Sequence, residues 1–155
     1  MKKIVQFGAG RSSTALIQYL LDHSEELDIQ LIIVDRDKTL IEEKLNNHPR
    51  SLAVEFDIND KNTRNKYISE AEVVISMLPA RLHQIIAEDC IEYSKSLFTA
   101  SYLSDNLKAL DAKAKEKNVL FLNEIGLDPG IDHMSAKKVI DEVHEKGGKL
   151  TSFKS

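Results

Sequence analysis

Gly8, Gly10, Arg11, Ser12 and Ser13 fall within one short stretch, KKIVQFGAGRSS. An apolar run (Ile4, Val5, Phe7) precedes the glycines, and Ala15, Leu16, Tyr19 and Leu20 follow at helical spacing. Strand, glycine turn, helix is the order in which a G-x-G-x-x-G pattern binds a dinucleotide. Gly8 permits the tight turn. Gly10 lets the backbone approach a pyrophosphate seated on the helix start, where free N–H groups and the helix dipole favour anionic charge. Arg11 adds a mobile cation, and the hydroxyls of Ser12, Ser13 and Thr14 can donate to phosphate oxygens. Ser13 replaces the third glycine and is small enough to preserve close packing of helix on strand.

Other chemically capable residues close later apolar runs. Asp35 ends the run QLIIV, where an acid can accept from the adenosine ribose hydroxyls. That favours NAD over NADP, while the adjacent Arg36 could pair with a 2'-phosphate. Asp57 and Ile58 follow SLAVEF, placing them to meet an adenine amino group, and Met77 and Leu78 end EVVISML as apolar flanks for a cofactor. Ser101 and Tyr102 follow SLFTA, where a nicotinamide would lie; a hydroxyl pair suits a substrate carboxylate, and a tyrosine can serve as a proton donor. Glu124, Asp128, Asp132 and His133 crowd one loop without a recognised metal-ligand spacing, and read as capping and substrate-side polarity. His83 and His144 fall in helical patterns and read as solvated; Cys90 reads as a small packed or half-exposed thiol.

The elements that must position these groups are six short apolar runs: strands at Ile4, Val5 and Phe7, entered directly from Lys2-Lys3, then at Gln30 to Val34, Ser51 to Phe56, Glu72 to Leu78, Ser96 to Ala100 and Val119 to Leu122. None alternates in and out, the signature of strands covered on both faces. Helical patterns separate nearly all of them, including one helix carrying Leu103, Leu107, Leu110 and Ala114, and Pro79 suits a first helical turn. The fold class expected is α/β, a three-layer doubly wound parallel sheet of the Rossmann-like NAD(P)-binding type, over residues 1–123. Residues 124–155 then read as a connecting loop, a helix N-capped by Asp132 and ended by Gly147-Gly148, and a half-exposed strand from Leu150 to Ser155. That last strand lacks a hairpin partner, so it is expected to open a second domain lying beyond this sequence.

Composition bounds the partners. The chain has 155 residues and a net charge of -4, with 42% hydrophobic and 30% charged residues, so no basic surface for nucleic acid is expected. Apolar runs reach only about five residues against the ~20 of a membrane span. One cysteine excludes an internal disulfide and fits a reducing cytoplasm.

VISMLP with His83, then TASYLS, and above all NEIGLDPGIDH with IDEVHEKGGK and SF, are similar to the saccharopine dehydrogenase family, in its glutamate-forming saccharopine reductase branch. The similarity runs the length of the chain. It implies an N-terminal Rossmann domain, an inserted substrate and dimerisation domain that makes a homodimer, and reversible hydride transfer between NAD or NADP and the carbon of a C–N bond. The small-molecule substrate implied is an amino-acid-derived imine or amine of lysine and saccharopine metabolism. By resemblance Gly8, Gly10, Arg11 and Ser12 hold the pyrophosphate, Asp35 and Arg36 the ribose, and Ser101 and Tyr102 touch substrate. Leu127 and Asp128 lie beside the nicotinamide and substrate, and Tyr102 and Asp128 are the candidates for moving the nitrogen proton. Two stretches depart from the branch: Ala80-Arg81-Leu82 replaces aromatic and hydroxyl residues, and Asp35 stands where the NADP enzymes commonly carry no acid. Related members acting on lysine or carboxynorspermidine are the alternatives within the family. A regulatory nucleotide-sensing module and an S-adenosylmethionine-dependent methyltransferase are those outside it. This length of chain is expected to bind dinucleotide without appreciable turnover.

Overall fold

A computed structural model describes residues 1–154. Six strands form one parallel sheet: β1 (Lys2–Phe7), β2 (Ile29–Asp35), β3 (Ser51–Glu55), β4 (Val73–Ser76), β5 (Ser96–Thr99) and β6 (Phe121–Leu122). Their spatial order is β3-β2-β1-β4-β5-β6. The strand order therefore reverses between β1 and β4, where open α/β sheets leave a crevice outside the strands' carboxyl ends. β1 is held on both sides in register, with Phe7 opposite Val34 of β2 and Ser76 of β4.

Helices α1 (Thr14–Asp22), α2 (Lys38–Leu45), α3 (Lys61–Glu70), α4 (His83–Glu92), α5 (Asp105–Lys108), α6 (Asp111–Glu116) and α7 (Ile131–Glu145) complete the chain. The side chains of each central strand part to opposite faces. Val5, Phe7, Ile32, Val34, Val74 and Leu97 meet Ile68 of α3, Ile86 and Cys90 of α4 and Leu107 of α5. Leu31 and Ile33 meet Ile17, Leu20 and Leu21 of α1 and Ile41 and Leu45 of α2. Two cores on one sheet make the three expected layers, each fully buried aliphatic or aromatic side chain contributing roughly 1.5–3 kcal/mol. Burial pushes the Cys90 thiol pKa up, which keeps it protonated and inert.

Several expectations are corrected. The edge strands are not covered on both faces: Leu52 of β3 and Leu122 of β6 are exposed, since each lies on the outermost strand. The segment after β5 forms two short helices, because Leu110 N–H bonds to the Leu107 carbonyl, a tightened turn between α5 and α6. Pro79 precedes a 3-10 turn, Ala80–Leu82, that leads into α4. Asp132 is not the N-cap of α7: Gly130 holds that position, and the Asp132 carboxylate inside the first turn accepts from the Gly130 N–H (2.9 Å). The strand expected from Leu150 does not form over residues 150–154, where no neighbouring strand offers hydrogen bonds; Ser155 lies outside the described residues. α7 buries none of its residues, and Ile131, Met134 and Val139 stand exposed.

Candidate functional site

At the switch point the ends of four strands enclose a cleft of about 340 Å³, within the 300–1,000 Å³ typical of small-molecule sites. Gly8 and Gly10 line it from β1, Asp35 and Arg36 from β2, Asp57 and Ile58 from β3, and Met77 and Leu78 from β4. Eight of the residues singled out from sequence thus converge on one wall system. Arg11 and Ser12 do not line the cleft; they sit exposed in the 3-10 turn that starts α1.

The glycine loop is braced from three directions. Gly8 N–H donates to the Val34 carbonyl (2.8 Å), Gln6 Nε2 donates to the Gly8 carbonyl (2.9 Å), and Lys44 Nζ of α2 donates to the Gly10 carbonyl (2.6 Å). Asp35 accepts the Ala9 N–H at Oδ2 (2.7 Å) and the Arg36 N–H at Oδ1 (2.7 Å). Its carboxylate therefore holds the loop as well as facing the cleft. It does not cap α2, a task that falls to Asp37, whose carboxylate accepts from Leu40 N–H (3.1 Å).

Among the described residues the amides of Gly10, Arg11 and Ser12 donate to no protein acceptor. A Cβ added at Gly10 would meet nothing within 4 Å. Free N–H groups converging at a helix start with open space before them are what a diphosphate requires, so the loop fits a dinucleotide.

Phe56, Asn59, Pro79, Arg81 and Leu82 also line the cleft, though the sequence pattern marks none of them as a site residue. Each adjoins a strand end already named, which is the signal that could have found them. Arg81 brings a second cation to the cleft that Arg36 lines. Asp57 Oδ1 accepts from the backbone and side-chain nitrogens of Asn59 (both 2.8 Å), fixing this loop rather than reaching freely for a base.

A second group lies past β5. The Tyr102 hydroxyl donates to Asp128 Oδ1 (2.6 Å), and the two expected proton carriers meet. That bond to a carboxylate, reinforced by the charges of Asp128, Asp132 and Glu124, holds the phenol protonated and pushes its pKa up to about 12. The 123–130 loop is tied to it: Glu124 N–H donates to the Ser101 carbonyl (3.1 Å) and Leu103 N–H to Glu124 Oε1 (3.0 Å). Gly126 lies so close to β5's end that a Cβ there would come within 2.9 Å of the Ala100 Cβ. His133 packs edge-on to Tyr102, its pKa raised by its hydrogen bond to Asp132. Leu127 is 73% exposed. Ser101, Tyr102, Leu127 and Asp128 do not line the cleft.

Asp128→Asn removes the charge and leaves a weaker, neutral amide acceptor, so Tyr102 is expected to ionise nearer the ordinary phenol range. A tyrosinate absorbance titration, taken as the difference from Tyr102→Phe, checks it; an unchanged midpoint would show that Asp128 does not govern the phenol.

His83 is not solvated, contrary to its sequence reading. It is 2% exposed and bridges the ends of β4 and β5. Desolvation pushes its pKa below the usual histidine range.

The family profile described as "Saccharopine dehydrogenase NADP binding domain" matches residues 4–122, and "Saccharopine dehydrogenase C-terminal domain" matches residues 126–155. The chain is 34% identical over 155 residues to the saccharopine dehydrogenase [NADP(+), L-glutamate-forming] of Schizosaccharomyces pombe, covering 100% of this chain and 34% of that protein. It is 41% identical over 134 residues to an alpha-aminoadipic semialdehyde synthase of Arabidopsis thaliana, covering 86% of this chain and 13% of that one. A solved structure of saccharopine dehydrogenase (L-Glu forming) from Saccharomyces cerevisiae superposes with a TM-score of 0.83 at 33% identity, over 98% of this chain and 33% of that one. The chain thus spans between 13% and 34% of the length of these relatives. Sheet order, glycine loop and both profile matches agree: the chain belongs to the saccharopine dehydrogenase family.

Proposed function

We propose that the chain is the cofactor-binding part of an oxidoreductase that moves a hydride between NAD(P) and the carbon of a C–N bond. Its substrate is an imine or amine derived from an amino acid, in lysine and saccharopine metabolism. The observation that carries this reading is the set of unpartnered amides at Gly10, Arg11 and Ser12 beside open space at the switch point of the sheet. Gly8 and Gly10 shape the loop, Arg11 and Ser12 close over the diphosphate, Asp35 and Arg36 meet the ribose, Asp57 and Ile58 flank the base, and Met77 and Leu78 cover the cofactor's apolar side. The nicotinamide supplies the hydride when bound. Ser101 holds substrate, Leu127 borders it, and the Tyr102–Asp128 pair keeps a proton in place beside its nitrogen, with proximity and orientation supplying much of the acceleration.

Asp35 alone favours NAD. Its two oxygens are engaged by Ala9 and Arg36 amides, and two guanidinium groups, Arg36 and Arg81, line the same cleft. Those cations, with relatives named for NADP(+), support NADP as the cofactor. The division into a Rossmann unit over 1–123 and a connection over 124–155, a homodimer formed through a further domain, and a cytoplasmic location belong to the same proposal. Exposed Ile131, Met134 and Val139 support a covering partner, and the lone buried Cys90 suits a reducing compartment.

Gly10→Ala tests the reading. Gly10 has φ -60 and ψ 178, which alanine adopts freely, and the added methyl meets no protein atom. The variant is expected to unfold at the wild-type denaturant midpoint yet bind NADPH at least about tenfold more weakly, roughly 1.4 kcal/mol. Fluorescence titrations with NADPH and NADH, and calorimetry with S-adenosylmethionine, complete the set. Binding of S-adenosylmethionine alone, or unchanged NADPH affinity in Gly10→Ala, would overturn the proposal. The lysine and carboxynorspermidine alternatives keep the same cofactor site and are separated from saccharopine chemistry by substrate assays.

A further inference from the structure

A chain of buried hydroxyls crosses the carboxyl edge of the sheet between the cleft and Tyr102. Ser76 ends β4 immediately before Met77 of the cleft, and its Oγ lies 2.8 Å from His83 Nδ1. On the other side of the ring Nε2 lies 2.7 Å from Ser101 Oγ and 3.3 Å from Thr99 Oγ1. Ser76, Thr99 and His83 are essentially inaccessible to water, whereas Ser101 is half-buried.

Hydrogen counting decides which way this chain runs, because a buried donor without an acceptor loses its hydration for nothing. Suppose Nε2 carries the ring proton. Ser76 O–H then donates to Nδ1, and Nε2–H donates to Ser101 Oγ at the short distance. The Thr99 hydroxyl hydrogen is then left without an acceptor in the core, and that of Ser101 is left without one at the half-buried end, among the described residues. Suppose instead that Nδ1 carries it. The ring then donates to Ser76, and the Ser76 hydrogen is orphaned in the core. The single Nε2 lone pair must then choose: if Ser101 donates, Thr99 is orphaned as well; if Thr99 donates, Ser101 Oγ faces that lone pair at 2.7 Å with no hydrogen between them. Each arrangement leaves two hydroxyl hydrogens without an acceptor, but only the first both keeps one of them at the half-buried Ser101 and leaves no oxygen facing a bare lone pair; burial disfavours an imidazolium.

We infer that His83 is a positioning residue, held by Ser76 as the Nε2–H tautomer, and that it commits the Ser101 hydroxyl to donate to a carboxylate of the substrate. In this tautomer Ser101 Oγ already accepts, so its own hydrogen has no acceptor among the described residues and is presented at the half-buried end. A hydroxyl so fixed favours an anionic oxygen, which takes its hydrogen, over an ammonium group, to which it can offer only the one lone pair that His83 leaves. The tautomer rests on this chain's packing alone; the identification of the acceptor rests on the function proposed above.

Nitrogen-15 NMR of the histidine-labelled chain tests both parts. Without cofactor, His83 is expected to show the neutral Nε2–H pattern; Ser76→Thr, which keeps a hydroxyl, preserves it, and Ser76→Ala turns it into a mixture of tautomers. With saturating NADP+, L-glutamate is expected to shift the Ser101 amide and His83 Nε2 saturably in wild type and Ser76→Thr. In Ser76→Ala it should bind at least about fivefold more weakly, and a diamine without a carboxylate should leave both signals in place. An Nδ1–H ring or an imidazolium at neutral pH, a tautomer indifferent to Ser76→Ala, an equal response to the diamine, or no response to glutamate would each overturn the inference. A failed NADPH titration would sink the cofactor reading and the identification of the acceptor with it, and would leave the tautomer standing, since that is measured without cofactor.

Discussion

Replacing Asp89 with alanine will destabilise the chain by about 3–5 kcal/mol, because it strands a buried guanidinium. Arg64 of α3 and Asp89 of α4 are joined through Arg64 Nε, with side chains only 7% and 5% exposed. They sit against the core formed by Ile68, Ile86 and Cys90. Without the carboxylate, Arg64 keeps one acceptor among the described residues, the Ile58 carbonyl, and its charge must either stay without a counterion or pull out and open the packing of α3 on α4. Because Ile58 lines the cleft, the same variant should also weaken NADPH binding. Chemical denaturation and a cofactor titration read the two effects. The double variant Arg64→Met/Asp89→Leu removes both charges at similar volume and is expected to recover most of the stability, as replaced buried pairs do. A loss in Asp89→Ala below about 1 kcal/mol, the scale of exposed ion pairs, would show that water reaches the pair and would refute this account.

The sheet was legible because burial on both faces leaves a mark that periodicity detects: unbroken apolar runs such as QLIIV. The glycine loop was legible because its residues are contiguous. The His83 network was not, since Ser76 ends β4 while Thr99 and Ser101 stand at the end of β5, two segments that meet only when those strands pair. A helical pattern around His83 says that the residue lies on a helix, and nothing in it says which face touches the sheet edge. Asp35 shows a different limit. Its position at a strand end announced a ligand-facing acid, but its hydrogen bonds to Ala9 and Arg36 depend on loop geometry that spacing does not encode. LTSFK alternates like a strand, yet strand formation requires a neighbour's backbone, and none lies beside it.

Gly8→Ala is expected to cost roughly 2–5 kcal/mol, in contrast to the neutral Gly10→Ala two residues away, and for two separable reasons. Gly8 has φ +99, a conformation that an L side chain enters only with strain. A Cβ there would also lie 2.7 Å from the Met77 carbonyl oxygen and 2.8 Å from its carbon, both backbone atoms that cannot rotate aside. Relief by movement is blocked on the opposite side, where Gly8 N–H is bonded to Val34, and Met77 N–H is itself bonded to Phe7 (both 2.8 Å). The methyl must therefore pry β1 from β4 at the point where the cleft opens. Stability and cofactor affinity are expected to fall together in Gly8→Ala and to separate in Gly10→Ala. Denaturation midpoints measured beside NADPH titrations for the two variants make the comparison. Equal stability of the pair would mean that the turn after β1 does not have the geometry on which the whole site is built.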